Sequence, residues 1–212
     1  MDFRGRLAVL LLGGILIFAA PTFADSTSSG SFNFASTLGN LGTSDTLTSG
    51  SFSVVATGYS APGMTTDLYA KNEGPNEIGM GIANGMDREI NGTSFIQLNL
   101  TQILSTSPTS LVLGVGSIQF PDAYQIWGSN TAGALGTMLA TNQNSFTFNL
   151  SSFGKYDYIS VVSPTGTVLI DGLTVNQPLA TNNSAPEPNS ATLLLIGLAA
   201  LASIRLAGKK FS

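Results

Sequence analysis

Apolar and polar residues alternate with a period of two in many short stretches of this chain. Ile96, Leu98 and Leu100 lie on one side of "SFIQLNL", and Phe95, Gln97 and Asn99 on the other. Phe146, Phe148 and Leu150 alternate in the same way with Thr147 and Asn149. Similar segments begin at Ser31 ("SFNFAS"), Ser51 ("SFSVVATGY"), Ile78 ("IGMGIA"), Leu111 ("LVLGVGSIQF"), Ala123 ("AYQIWG"), Asp157 ("DYISVV") and Thr167 ("TVLIDGLTV"). A period of two is the mark of a strand, and many short strands between turn-rich stretches predict an all-β fold. The expected architecture is a β-sandwich or jelly-roll-like body over residues 25–180. No stretch of the body has a 3.6-residue period. "SGSFNF" at Ser29 and "SGSFSV" at Ser49 echo each other, which suggests similar strand entries and not a solenoid. The first thirty or so residues of the body read as an edge hairpin or a loose arm.

The two ends follow a different pattern. Arg4 and Arg6 precede an apolar run over residues 7–20, and Thr22 and Ala24 place small residues before Asp25. This is the layout of a cleaved secretory signal peptide, residues 1–24. At the other end, residues 181–190 read as a linker and residues 191–207 as a single transmembrane helix. Residues 208–212 form a basic cytoplasmic tail. The apolar core at 191–204 would extend about 21 Å as a helix, short of a hydrocarbon layer of about 30 Å. It reaches across only if Leu206 and Ala207 are included and Arg205 snorkels. Arg205, Lys209 and Lys210 act as the membrane stop on the cytoplasmic side, which leaves the body outside.

Composition then narrows the chemistry. The chain has 212 residues, of which only 9% are charged, with 24 Gly and neither Cys nor His. Disulfides, thiolate nucleophiles, Ser-His-Asp triads and His-ligated zinc are therefore excluded. Between residues 25 and 185 the basic residues are Lys71, Arg88 and Lys155, against ten acids, a net charge of −7. Such a body repels phosphate backbones, so no nucleic-acid partner is expected.

Pro186, Glu187 and Pro188 sit between the polar spacer and the apolar run. Their order, followed by a short apolar helix and a basic end, resembles the bacterial PEP-CTERM sorting signal over about the last 27 residues. The likeness implies that an exosortase-type membrane processing enzyme reads the triplet. It also implies a host that makes exopolysaccharide, with the protein held in the inner membrane as a precursor and then passed to the cell surface or beyond. The basic cluster is sparser than in many members. Within the body, "DLYAKNEGPNEIGMGI", "EINGTSFIQLNL" and "YQIWGSNTAGALGTML" resemble domains of PEP-CTERM proteins from soil bacteria. The last of these is also similar to the strand-turn-strand of discoidin-type sandwiches. These likenesses imply location more than activity.

Candidate chemistry in the body is sparse. Asp67, Glu73, Glu77, Asp87 and Glu89 crowd one Gly- and Asn-rich stretch. Oxygen ligands in such a loop suit a weak Ca²⁺ site, with Glu73, Asp87 and Glu89 as ligands, although the spacing matches no EF-hand. A solvated acidic loop accounts for the same residues. Asp87 and Glu89, two apart on a strand, could also serve as paired carboxylates for glycoside hydrolysis. Trp127, the one tryptophan, shares a strand face with Gln125, opposite Tyr124 and Ile126. With Asn130 it could stack on and bind a sugar ring, or it could pack at the rim against the following loop. The expected protein is a non-enzymatic, exported cell-envelope or matrix component, structural or adhesive, that takes a glycan such as exopolysaccharide. The alternatives are a secreted carbohydrate-active enzyme and a simple membrane-tethered surface protein.

Overall fold

A computed structural model describes residues 27–142, 147–150 and 153–178. The expected signal peptide over residues 1–24, the Pro-Glu-Pro triplet, the apolar C-terminal run and the expected cytoplasmic tail lie outside these residues. Among the described residues, no helix is long and apolar enough to cross a membrane.

The described chain is all-β. Its strands are β1 (Thr27–Asn33), β2 (Gly39–Gly42), β3 (Ser44–Ser49), β4 (Phe52–Ala61), β5 (Met64–Thr65), β6 (Leu68–Asn72), β7 (Ile78–Ile82) and β8 (Ile90–Asn91). They continue with β9 (Phe95–Asn99), β10 (Ser110–Gly116), β11 (Ala123–Ser129), β12 (Thr137–Asn142), β13 (Thr147–Asn149), β14 (Tyr158–Thr165) and β15 (Thr167–Pro178). The one α-helix among the described residues is a single turn, α1 (Thr101–Leu104). Every predicted strand segment overlaps one of these strands.

All strand pairs are antiparallel. One sheet runs β13-β10-β15-β7-β6-β2, with β1 and β8 also paired to the long β15. The other runs β12-β11-β14-β9-β4-β3, with β5 added to β4. Both sheets feed one apolar core. Leu68, Met80, Leu113 and Leu173 enter it from the first sheet, and Val54, Ile96, Leu98, Ile126 and Val161 from the second. The period of two explains this division: in β4, Phe52, Val54 and Ala56 are buried while Ser53, Val55 and Thr57 are less so.

Within the start of the body, β3 and β4 form the expected edge hairpin, with β3 outermost in the second sheet, and β1 is not a loose arm. β1 pairs with β15 along seven residues in the first sheet, and β3 pairs with β4 in the second. Phe32 and Phe34 hold it there, since both are buried in the common core. Burying two aromatic rings outweighs leaving the segment free.

The β6–β7 hairpin prepares the principal cleft. Its register sets Leu68 opposite Ile82 and Ala70 opposite Met80, all buried in the core. The alternate face then carries Tyr69 opposite Gly81 and Lys71 opposite Gly79. Gly81 leaves room for the chain to fold back, because a Cβ there would collide with the Arg88 carbonyl and lie 2.7 Å from the Glu89 Cα. The Met86–Arg88 3-10 turn thus rests directly on the strand. Gly81→Ala is expected to cost about 1–3 kcal/mol, since backbone cannot yield as a side-chain tip can. A urea melt checks this, and an unchanged midpoint would mean that the turn does not rest on β7.

Candidate functional site

The returning turn delivers Glu89 to Lys71. Lys71 Nζ lies 2.7 Å from Glu89 Oε1, with side-chain exposures of 3% and 2%. Glu73 Oε2 is 3.3 Å and Glu77 Oε2 3.5 Å from the same ammonium, both from the rim of the β6–β7 hairpin. The hairpin is closed by hydrogen bonds from Glu73 N to Glu77 O and from Glu77 N to Gly74 O. Ser117, just after β10, donates its hydroxyl to Glu89 Oε1 at 2.9 Å, and its backbone N–H bonds Asn76 O. Glu89 Oε2 is buried and has no hydrogen-bond partner.

Burial opposes the charge on Lys71. Hydrogen bonding and attraction from Glu89, and then from Glu73, outweigh it and hold the pKa above its ordinary value. The ammonium is therefore a fixed positive centre and not a base or nucleophile at neutral pH. Above it, Asp87 and Arg88 adopt left-handed backbone, at φ 54° and 60°. That conformation is costly for residues with a Cβ and persists only when its surroundings hold it. Arg88 is held by Tyr69: its guanidinium lies 4.3 Å from the ring centroid, and Nη1 donates to the phenol oxygen at 2.7 Å. Lys71, its three glutamates, Asp87, Arg88 and Ser117 line a cleft of about 440 Å³ with Gln119 and Thr167.

This geometry changes the reading of the acidic stretch. Glu73 and Glu89 do converge, but on the ammonium of Lys71, which holds the position a cation would take. Asp87 is on the exposed turn and not on a strand, so it does not point with Glu89 as a carboxylate pair. Among the described residues, no group of three acids could hold a metal ion. Lys71, Arg88, Ser117, Gln119 and Thr167 were not singled out by the sequence. The available signal was Lys71, one of three basic residues in the body and two positions from Glu73.

The Trp127 face is different in kind. Tyr124 and Ile126 are core residues, and Trp127 and Gln125 share the other face, where Trp127 Nε1 donates to Gln125 Oε1 at 3.1 Å. Trp127 is half-buried and packs with Leu135 against Tyr59, Phe95 and Val162. Asn130 Oδ1 accepts from Asp157 N at 2.9 Å, a bond within the fold. Both residues thus have partners within the fold.

A second cleft, of about 410 Å³, includes Asp171, Asn33, Asn76 and Ile78. Gly114 pairs with Gly172 and Val115 with Ile170, so Asp171 is the extra residue of a bulge in β15. Burial raises its pKa, against smaller lowering effects of backbone hydrogen bonds at Asp171 and Gly172. A raised carboxyl pKa favours the folded state at low pH. That contribution is full below the ordinary value of 3.8 and is lost as pH climbs through the folded-state value. Asp171→Asn removes the buried charge and keeps an acceptor oxygen. It is expected to raise the melting temperature at pH 7 and to leave it nearly unchanged near pH 3, in a calorimetric pH series.

Comparison with protein-family models, with curated proteins and with solved structures finds no match to this chain.

Proposed function

We propose that this chain is an exported bacterial cell-envelope or extracellular-matrix protein whose C-terminal segment is a sorting signal. One observation carries this reading. Pro186-Glu187-Pro188, an apolar run and the basic residues Arg205, Lys209 and Lys210 stand in that order, at the opposite end from a secretory leader. The body, on this reading, is a jelly-roll-like β-sandwich. Support comes from two antiparallel sheets that contribute to one core. Its role is structural or adhesive, with a glycan as ligand. A carbohydrate-active enzyme fits less well, because Glu73, Glu77 and Glu89 all bind one ammonium. A glycosidase needs two carboxyls that exchange protons with substrate.

The triplet lies outside the body and ahead of the apolar run, so neither packing nor insertion requires it. Replacing Pro186, Glu187 and Pro188 with alanines should leave the body folded and the run inserted, since insertion depends on hydrophobicity. The full-length form, still bearing Lys209 and Lys210, should accumulate in the inner membrane. Fractionation with a C-terminal tag checks this. Equal retention of the tag in wild type and mutant would make the tail an ordinary anchor.

A further inference from the structure

We infer that Asn91 is a self-modifying site, whose side-chain amide is lost as ammonia when the backbone nitrogen of Gly92 closes a ring on it. The inference goes beyond the sorting and glycan readings and rests on neither. The Gly92 nitrogen attacks Cγ of Asn91 and passes its proton to the departing amide, which leaves as ammonia. Water then opens the cyclic imide at either carbonyl. One product is aspartate. The other is an isoaspartyl link, in which the main chain runs through the side-chain carbon.

The chain holds two Asn-Gly pairs, Asn84-Gly85 and Asn91-Gly92. Glycine has no Cβ to hinder the approach of its nitrogen, so both pairs are reactive in an unfolded chain. The fold separates them. Gly85 N donates to Ile82 O at 2.9 Å, and a Cβ at Gly85 would collide with the Glu89 carbonyl. The attacking nitrogen is therefore committed there, in a packed turn. Gly92 N has no hydrogen-bond partner among the described residues, and a Cβ on Gly92 would meet nothing within 4 Å. Gly92 and Thr93 are exposed, and Gly92 takes left-handed backbone at φ 59°. An exposed turn tip of this kind opens at little cost.

Ser94 adds to the difference. It is buried, and its Oγ bonds the Asn91 carbonyl at 2.7 Å and lies 3.4 Å from Asn91 Oδ1. Rotation of the hydroxyl brings its proton to Oδ1, where negative charge develops as the ring closes. The consequence reaches the principal cleft. Asn91 pairs with Thr167 of β15, and Thr167 lines that cleft. Either product adds a carboxylate at this strand pair, and the isoaspartyl link also lengthens the main chain between β8 and its turn. The cleft wall thus changes with the age of the protein.

The test is peptide mapping of the full chain, aged for weeks at neutral pH in mild detergent. Trypsin cuts after Lys71, Arg88 and Lys155, so residues 72–88 carry Asn84 and residues 89–155 carry Asn91. In the folded chain, the 89–155 peptide should gain the mass of an amide turned to a carboxyl at least about tenfold faster than the 72–88 peptide. In urea the two rates should come within about threefold of each other, because the protection of Asn84 is lost with the fold. Asn91→Gln should remove the gain in the 89–155 peptide in both states, since the longer side chain closes its ring far more slowly. Equal protection of the two peptides in the folded chain would overturn the inference. So would the folded-state ratio persisting in urea, or a gain that survives in Asn91→Gln.

Discussion

Lys71→Met is expected to lower stability by about 3–5 kcal/mol, the largest effect of any surface-lining substitution in this protein. The change leaves Glu89 buried without its cation, since Ser117 donates to one oxygen and nothing bonds the other. The loss is mainly the penalty of an uncompensated buried charge and not the net worth of the pair. Lys71→Met combined with Glu89→Leu should therefore recover most of the stability. The pH dependence has a definite sign. A lysine whose folded pKa is raised contributes stability fully present below the ordinary value of 10.5, and that contribution disappears as pH climbs through the folded value. Wild type should lose stability on the alkaline side, and Lys71→Met should lose less there. Urea melts of the single and double variants from pH 7 to 11 measure both effects. A single variant as stable as wild type at pH 7 would contradict the buried pair.

Gln97→Leu is expected to have the second largest effect. Gln97 is on β9, on the face opposite Ile96 and Leu98, yet it is buried. Its Nε2 donates to Ala134 O at 2.9 Å and to Ser160 Oγ at 3.2 Å, and its Oε1 accepts from Gly133 N at 2.7 Å. One side chain thereby fixes the loop that follows β11, and that loop carries Leu135, which packs, as Trp127 does, against Tyr59, Phe95 and Val162. Leucine would strand the Gly133 N–H and the Ala134 carbonyl, at about 1–3 kcal/mol for each group left unpaired. Hydrogen exchange should show the Gly133 amide losing protection, and tryptophan fluorescence should shift to the red as Leu135 leaves the cluster that Trp127 packs on. Unchanged exchange at Gly133 would mean that the loop is held by other contacts.

The strands were legible because each buried face carries its own period-two pattern, as in Phe52, Val54 and Ala56. The second layer of burial was not. Phe95 and Gln97 read as the polar side of β9, but the chain lays the loop around Gly133 and Ala134 over them. A covering loop has no periodicity, so local pattern cannot announce it. β6 was missed for a related reason. "LYAKN" is five residues long, and its charge and amide resemble the acidic stretch around it. Only the pairing with β7 makes it a strand. The cleft depends on the same long-range fact. Glu89 meets Lys71 because Gly81 admits the turn and because Asp87 and Arg88 take left-handed backbone. The acids were visible in the sequence, and so was Lys71 two positions from Glu73, but its pairing with Glu89 was not, since that residue arrives from beyond β7.

The measurement that tests export and sorting most directly is the intact mass of the protein recovered from the medium and envelope of its native host. The account predicts a chain that begins at Asp25 and ends upstream of residue 191, without Arg205, Lys209 and Lys210. A cytoplasmic protein that retains both residues 1–24 and the tail through Ser212 would contradict it.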